Sequence, residues 1–315
     1  MFASLIALAL VQTPIVTIPL GKKPRQIERP RAPIEEAGPA WADACKGNSG
    51  WDAPGPPVRI HGNTYYVGTC GISAILITGD KGHILIDSGT EKGVDTVIAN
   101  IRALGFRPAD VKILLHSHEH IDHVGGMSVL QQATGAQLYA SPTAARVFAT
   151  GAPTADDPQA GLMPPFRAAR VDRTVRDGEE IRLGNLNLVA MATPGHTLGA
   201  MSWRWVSCDG GVCPTIVYAD SLSAISRDDY KYGTHPDLVA AFRASLAKIA
   251  ASDCDILITP HPDASDMPAR FEGLRPLRDP DACKAYAEAK GKALDERLKK
   301  EADPQAAAEK AEDQQ

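Results

Sequence analysis

Short apolar runs separated by turn residues dominate the first third of the chain, and helical spacing enters after them. Val58-Arg59-Ile60 and Asn63-Thr64-Tyr65-Tyr66-Val67 read as strands around the turn residues His61-Gly62. A third strand spans 72–78, and Gly79-Asp80-Lys81-Gly82 turns it into His83-Ile84-Leu85-Ile86. Val94, Val97, Ile98, Ile101 and Leu104 then recur at helical spacing, which predicts an amphipathic helix ending at Gly105. A strand over 110–115, a helix over 125–134, a strand at 138–140 and a short helix over 143–150 follow. Strands first, then alternating β and α, is the order of a layered α/β sandwich.

Residues 151–170 show no clear period and read as a long loop, a length at which loops are often functional. Beyond it, Thr174-Val175 and Glu180-Ile181-Arg182-Leu183 flank Asp177-Gly178, a hairpin signal. The next strand, 186–192, runs into the turn Thr193-Pro194-Gly195-His196-Thr197. Strands over 202–206 and 215–218 precede a helix marked by Leu238, Phe242, Leu246 and Ile249. A last strand, Asp255-Ile256-Leu257-Ile258, ends in Thr259-Pro260-His261-Pro262, and a charged, Ala-rich helix starts near Ala282.

The densest chemistry follows the strand at 110–115. His118, His120, Asp122 and His123 form a His-x-His-x-Asp-His motif, with Val124-Gly125-Gly126 directly behind it. Imidazole and carboxylate suit zinc, and a site short of protein ligands leaves room for a reactive water. His196 and His261 share the same context of strand, turn and imidazole. A lone histidine more often fills a structural role, and that reading applies to His61, His83 and His235. His116 lies outside the motif's spacing and is given no ligand role.

These residues resemble the signature of the metallo-β-lactamase superfamily. The resemblance implies an α/β fold, a four-layered αβ/βα sandwich with metals at one edge. It implies two Zn2+ ions, one on His118, His120 and His196 and the other on Asp122, His123 and His261. Asp87, in the acidic turn Asp87-Ser88-Gly89-Thr90, falls where the superfamily keeps a carboxylate that steadies the metal loop. The stretch Tyr218-Ala219-Asp220-Ser221-Leu222-Ser223 offers no cysteine ligand, so the chain looks like the third subclass of class B β-lactamases. Similar stretches of that subclass include Tyr66-Val67-Gly68-Thr69, Pro194-Gly195-His196 and Thr259-Pro260-His261-Pro262. Asp220 stands where glyoxalase II-like hydrolases put a bridging carboxylate, whereas the resembled lactamases do not use it as a ligand.

The activity implied is hydrolysis of a β-lactam amide, and with it antibiotic resistance, by a zinc-bridging hydroxide without a covalent acyl-enzyme. His118, His120, His196 and Asp122 are the expected catalytic set, and Ser221, Ser223 and Gln159 the expected substrate contacts. No Gly-x-Ser-x-Gly elbow offers a serine nucleophile. A lactone or thioester hydrolase of the same fold is the alternative.

Composition narrows this further. The net charge of -5 on 315 residues argues against a nucleic-acid partner. The apolar start, Phe2 to Val11, is shorter than the about 20 residues a spanning helix needs and fits a secretory signal. The expected organisation is a signal over 1–20, a linker over 21–40, one domain over 41–300 and a polar tail over 301–315. Six cysteines support an oxidising compartment, periplasmic or secreted. Cys208 and Cys213 bracket the turn Asp209-Gly210-Gly211, which suits a local bridge. Spacing does not pair Cys45, Cys70, Cys254 and Cys283, and the resemblance implies Cys45–Cys70 and Cys254–Cys283. The chain is expected to act as a monomer on a small β-lactam, with no membrane span.

Overall fold

The structure, a computed structural model, describes residues 34–303. The signal expected over 1–20, the linker as far as 33 and the tail beyond 303 lie outside the described residues.

Two sheets carry the strands. The first runs β1 (Val58–His61), β2 (Thr64–Tyr66), β3 (Ile75–Gly79), β4 (Gly82–Ile86), β5 (Val111–Leu115), β6 (Gln137–Ala140) and β7 (Val171–Thr174), in that spatial order. Its pairing is antiparallel up to β4 and parallel from there on. The second contains β8 (Glu180–Leu183), β9 (Leu186–Ala192), β10 (Met201–Val206), β11 (Thr215–Tyr218) and β12 (Ile256–Ile258), ordered β12-β11-β10-β9-β8. Helices α1 (Ile34–Cys45), α2 (Val94–Ala103), α3 (Ile121–Val124), α4 (Met127–Thr134), α5 (Pro142–Thr150), α6 (Pro236–Ala250), α7 (Met267–Phe271) and α8 (Ala282–Ala302) complete the elements.

The strand period of two builds the layers. Ile84 and Ile86 face Ile216, Trp203 and Ile258 in the core between the sheets, while Leu85 points outward to α2, α4 and α5. On the far side, Val217 and Leu257 pack outward against Phe242 and Ile249 of α6 and Tyr286 and Leu294 of α8. The result is the expected αβ/βα sandwich.

Two local expectations change. No hairpin forms between 174–175 and 180–183, because β7 pairs with β6 in the first sheet and β8 with β9 in the second. The connection crosses between sheets. Val175 N–H donates to Ala140 O at 2.8 Å, and Gly178 N–H donates to Ala190 O at 2.8 Å. Asp177-Gly178 is therefore the turn of a sheet-to-sheet crossover, which local turn chemistry cannot tell from a hairpin. The end of the expected linker is also helical from Ile34, despite Pro39 within α1. Burial decides that: Trp41 is enclosed, meeting Tyr66 and Phe271 edge to face at 5.5 and 5.2 Å.

Three disulfides join Cys45–Cys70, Cys208–Cys213 and Cys254–Cys283. The last ties α8 to the chain just ahead of β12. From there α8 clamps the segment after β11. Tyr286 OH donates to Asp220 O at 2.8 Å and to Ser221 O at 2.6 Å. Arg297 donates to Ser226 Oγ and to Tyr230 O, at 2.7 and 3.0 Å. Glu301 accepts from Tyr232 N–H and Gly233 N–H at 3.1 and 2.8 Å.

Opening the 29-residue link with Cys254→Ala and Cys283→Ala together removes this anchor. Urea unfolding of that double variant is expected to lose about 2–4 kcal/mol, and an unchanged midpoint would show that the hydrogen bonds alone hold α8.

Candidate metal centre

One edge of the sandwich gathers the C-terminal ends of strands from both sheets, where open α/β folds place their chemistry. β4 delivers Asp87, β5 the motif loop, β9 the His196 turn, β11 Asp220, and β12 His261. The single-turn α3 begins behind His120 and carries Asp122 and His123 on adjacent positions. Gly195 is required ahead of His196, since a Cβ there would lie 2.5 Å from the Phe242 ring.

The structure brings together all six expected ligands. His118, His120 and His196 offer ring nitrogens that lie within 4.8 Å of one another, and so do the donor atoms of His118, Asp122 and His123. His261 Nε2 completes the second group, 3.4 Å from Asp122 Oδ2 and 3.3 Å from His123 Nε2.

Each ring of the first group is held from behind by one nitrogen. His118 Nδ1 meets Asp220 Oδ1 at 2.8 Å, His120 Nε2 meets Asp157 Oδ2 at 3.2 Å, and His196 Nδ1 donates to Ser223 O at 2.8 Å. The other nitrogen is thereby left for a ligand, as in metal-binding histidines with carboxylate or carbonyl partners. His118 Nε2 is buried without any hydrogen-bond partner. Such an orphan needs a partner the protein does not supply, and a divalent cation fits it. The donor set of imidazoles with one carboxylate fits the same ion.

Burial drives His118 well below the ordinary histidine value, His196 down to about 3 and His261 down to about 4. All three are neutral near pH 7, the form that ligates a metal. Burial would raise Asp122, but the charge and hydrogen bond of His123 outweigh it and hold the carboxyl well below the usual range. Burial raises Asp87 to about 6 and Asp220 to about 7, with His123 opposing it at both.

Asp87 sits at φ 62°, a strained conformation for a residue with a side chain. Its carboxylate accepts from Ser117 N–H at 2.6 Å, Ser117 OH at 2.7 Å and Tyr218 OH at 2.7 Å. His123 Nδ1 lies 3.7 Å from the same group. Asp220 stands behind the His118 ring, on the side opposite Nε2.

Gln159 is buried, and its amide nitrogen lies 3.4 Å from His196 Nε2, at the free edge of that ring. Ser221 Oγ is buried without a partner, whereas Ser223 OH is spent on Ser221 O at 3.0 Å. His116 is structural: its Nε2 accepts from Ser141 N–H at 3.1 Å. His61, His83 and His235 lie elsewhere, on Val212 O, Phe106 and the Tyr230 ring respectively.

Two residues here escaped sequence reasoning. Asp157 was visible only as part of a loop, and no spacing links it to His120. Glu119 lies inside the motif, yet its carboxylate turns away to accept from Thr197 OH at 2.7 Å and Gly199 N–H at 2.9 Å. It fastens the motif loop to the His196 turn.

Asp157→Asn preserves shape but removes the charge behind His120. Competition with a chromophoric chelator is expected to show metal affinity about 10–100-fold weaker, and unaltered affinity would leave Asp157 a loop brace only.

The sequence model of the metallo-β-lactamase superfamily matches residues 67–261. Among solved structures, the MIM-2 metallo-β-lactamase is 55% identical with a TM-score of 0.81, covering 84% of this chain and 98% of its own. The MIM-1 metallo-β-lactamase of Novosphingobium pentaromativorans is 49% identical with a TM-score of 0.82, at the same coverage. A subclass B3 metallo-β-lactamase from a soil metagenome is 42% identical with a TM-score of 0.76, covering 84% of this chain and 100% of its own. Curated relatives are more distant. A probable metallo-hydrolase of Burkholderia pseudomallei is 31% identical over 43% of this chain, which spans 48% of that protein's length. A hydroxyacylglutathione hydrolase of Haemophilus influenzae is 27% identical over 58% of this chain and 81% of its own. With its family match running from the end of β2 to His261, and solved subclass B3 enzymes as its neighbours, the chain belongs to the metallo-β-lactamase superfamily.

Proposed function

We propose that the protein hydrolyses the amide bond of β-lactam antibiotics, binding two zinc ions through His118, His120 and His196 and through Asp122, His123 and His261. The observation that carries this reading is the pair of ligand groups meeting at one buried edge, each ring of the first backed by a carboxylate or carbonyl. High identity to solved lactamases across nearly their whole length supports the substrate class.

When bound, zinc supplies a Lewis acid for the lactam carbonyl and lowers the pKa of water to about 7. The chain's own groups do the positioning. Asp122 Oδ2, within 3.4 Å of both His123 and His261 Nε2, would be the carboxylate of the second ligand group and would orient an attacking water by accepting its hydrogen bond. Ser221 OH, with no protein partner, is free to donate to the substrate carboxylate. Gln159 at the edge of His196 offers an amide donor to the other side of the substrate.

A covalent acyl-enzyme finds no support. Ser221 Oγ has no base beside it, and Ser223 gives its proton to a backbone carbonyl while accepting one from Lys290. The thioester alternative would place Asp220 between the metals. Its carboxylate instead lies behind His118, which favours the lactam.

The three disulfides support work in an oxidising compartment, periplasmic or secreted. Among the described residues no helix is long and apolar enough to cross a membrane.

Absorbance decay of a carbapenem tests the reading directly. Purified protein is expected to hydrolyse it, to stop after chelation and to recover with added zinc. His196→Ala and His261→Ala are each expected to reduce kcat/KM by at least about 100-fold, with far-ultraviolet circular dichroism preserved. Turnover at the wild-type rate in either variant would remove that residue from the site, and a zinc-loaded protein inert toward every β-lactam would sink the reading.

A further inference from the structure

Lys290 projects from α8 toward the metal edge, half-buried, with its Nζ 2.8 Å from Ser223 Oγ and 5.3 Å from the Tyr286 ring. Among the described residues it forms no ion pair and no other hydrogen bond. An ammonium carries three N–H donors, so two remain unused by the protein. Desolvating a cation without a carboxylate to meet it costs stability, and such a charge is best explained by an anion that arrives from outside.

The geometry says which anion. Ser223 OH is committed to Ser221 O, so in this arrangement it has no proton left for a substrate. The neighbouring Ser221 OH is free but neutral. Lys290 is the one cationic side chain bonded to this pair of serines, and Ser223 O in turn holds His196 Nδ1 at 2.8 Å. The ammonium thus stands one residue away from the metal-ligand cluster. The other charged and titratable groups that act on it are Asp220 and His261. Burial lowers Lys290 from its ordinary lysine value, and the Asp220 charge opposes that.

We propose that Lys290 is the specificity-determining cation of the site, pairing with the carboxylate of the substrate alongside Ser221 and fixing the rotamer of Ser223. The assignment rests on the lactamase reading above. It refines the serine pair expected from the sequence: one serine binds, and the other is held in place by the lysine that binds. The Cys254–Cys283 link and the Tyr286 hydrogen bonds lie two turns and one turn back along α8, so the ammonium is set before substrate arrives. Preorganisation of that kind reduces the ordering cost of binding.

The test uses zinc-loaded protein, a chromogenic cephalosporin and the methyl ester of the same compound, in wild type, Lys290→Met and Lys290→Arg. A charge-assisted hydrogen bond lost from one partner predicts that Lys290→Met raises KM for the free acid about 10–100-fold, with kcat changed far less. The wild-type preference for acid over ester should shrink by the same factor, and Lys290→Arg should recover part of it. An unchanged KM for the acid, or an equal loss on acid and ester, would overturn the assignment, the second outcome marking Lys290 as a packing residue. If the wild type turned over neither compound, the lactamase reading would fail first and this assignment with it.

Discussion

A buried carboxylate ties the two halves of the sandwich together at the metal edge. Asp87 closes β4 of the first sheet, grips Ser117 at the head of the motif loop with two hydrogen bonds, and takes a third from Tyr218 on β11 of the second sheet. It also faces His123 from behind. The left-handed backbone at this residue is a local cost, and three short hydrogen bonds to one carboxylate offset it. Ligands drawn from the ends of β5, β9 and β12 can share an ion only if those ends hold register. Asp87, with Asp220 and Glu119, fixes one sheet's ends against the other's.

Around that tie, the site follows a repeated rule. Each imidazole of the first group spends one nitrogen on a fixed partner and keeps the other for the cavity. The partners come from two places: the segment after β11, which supplies Asp220 and Ser223, and the 151–170 loop, which supplies Asp157. Glu119 adds a brace from within the motif to the His196 turn, so the two longest-separated parts of the first ligand group move together. Desolvation keeps His118, His196 and His261 neutral, and His123 keeps Asp122 ionised. Acid and base forms are thereby sorted by burial before any metal binds.

Much of this was legible in the sequence, and for a physical reason. Strands that are buried on both faces appear as apolar runs, and turns at their ends need glycine, proline or aspartate, so His118, His196 and His261 could be recognised by context. Side chains that act across the fold leave no such trace. Asp157 is an ordinary loop aspartate until the loop folds over His120, and Lys290 is one lysine among many on a charged helix. The crossover at Asp177-Gly178 shows the same limit: its turn chemistry is local, but which sheet each flank joins is decided by distant partners, Ala140 and Ala190. The first helix was hidden because Pro39 and its polar neighbours argue against one, while the burial of Trp41 argues for it only once Tyr66 and Phe271 are in place.

The grip of α8 on the chain after β11 bears on how this fold can be re-engineered. Tyr286, Lys290, Arg297 and Glu301 lie along one stretch of helix and match backbone and hydroxyl groups between Asp220 and Gly233. Loop and helix therefore form one exchangeable unit. A loop transplanted from a related scaffold without its own helix would meet an arginine lacking its acceptors and a glutamate lacking its donors. Recombination between relatives should succeed at crossover points outside this unit, before Asp220 or beyond α8, and fail at points that divide it.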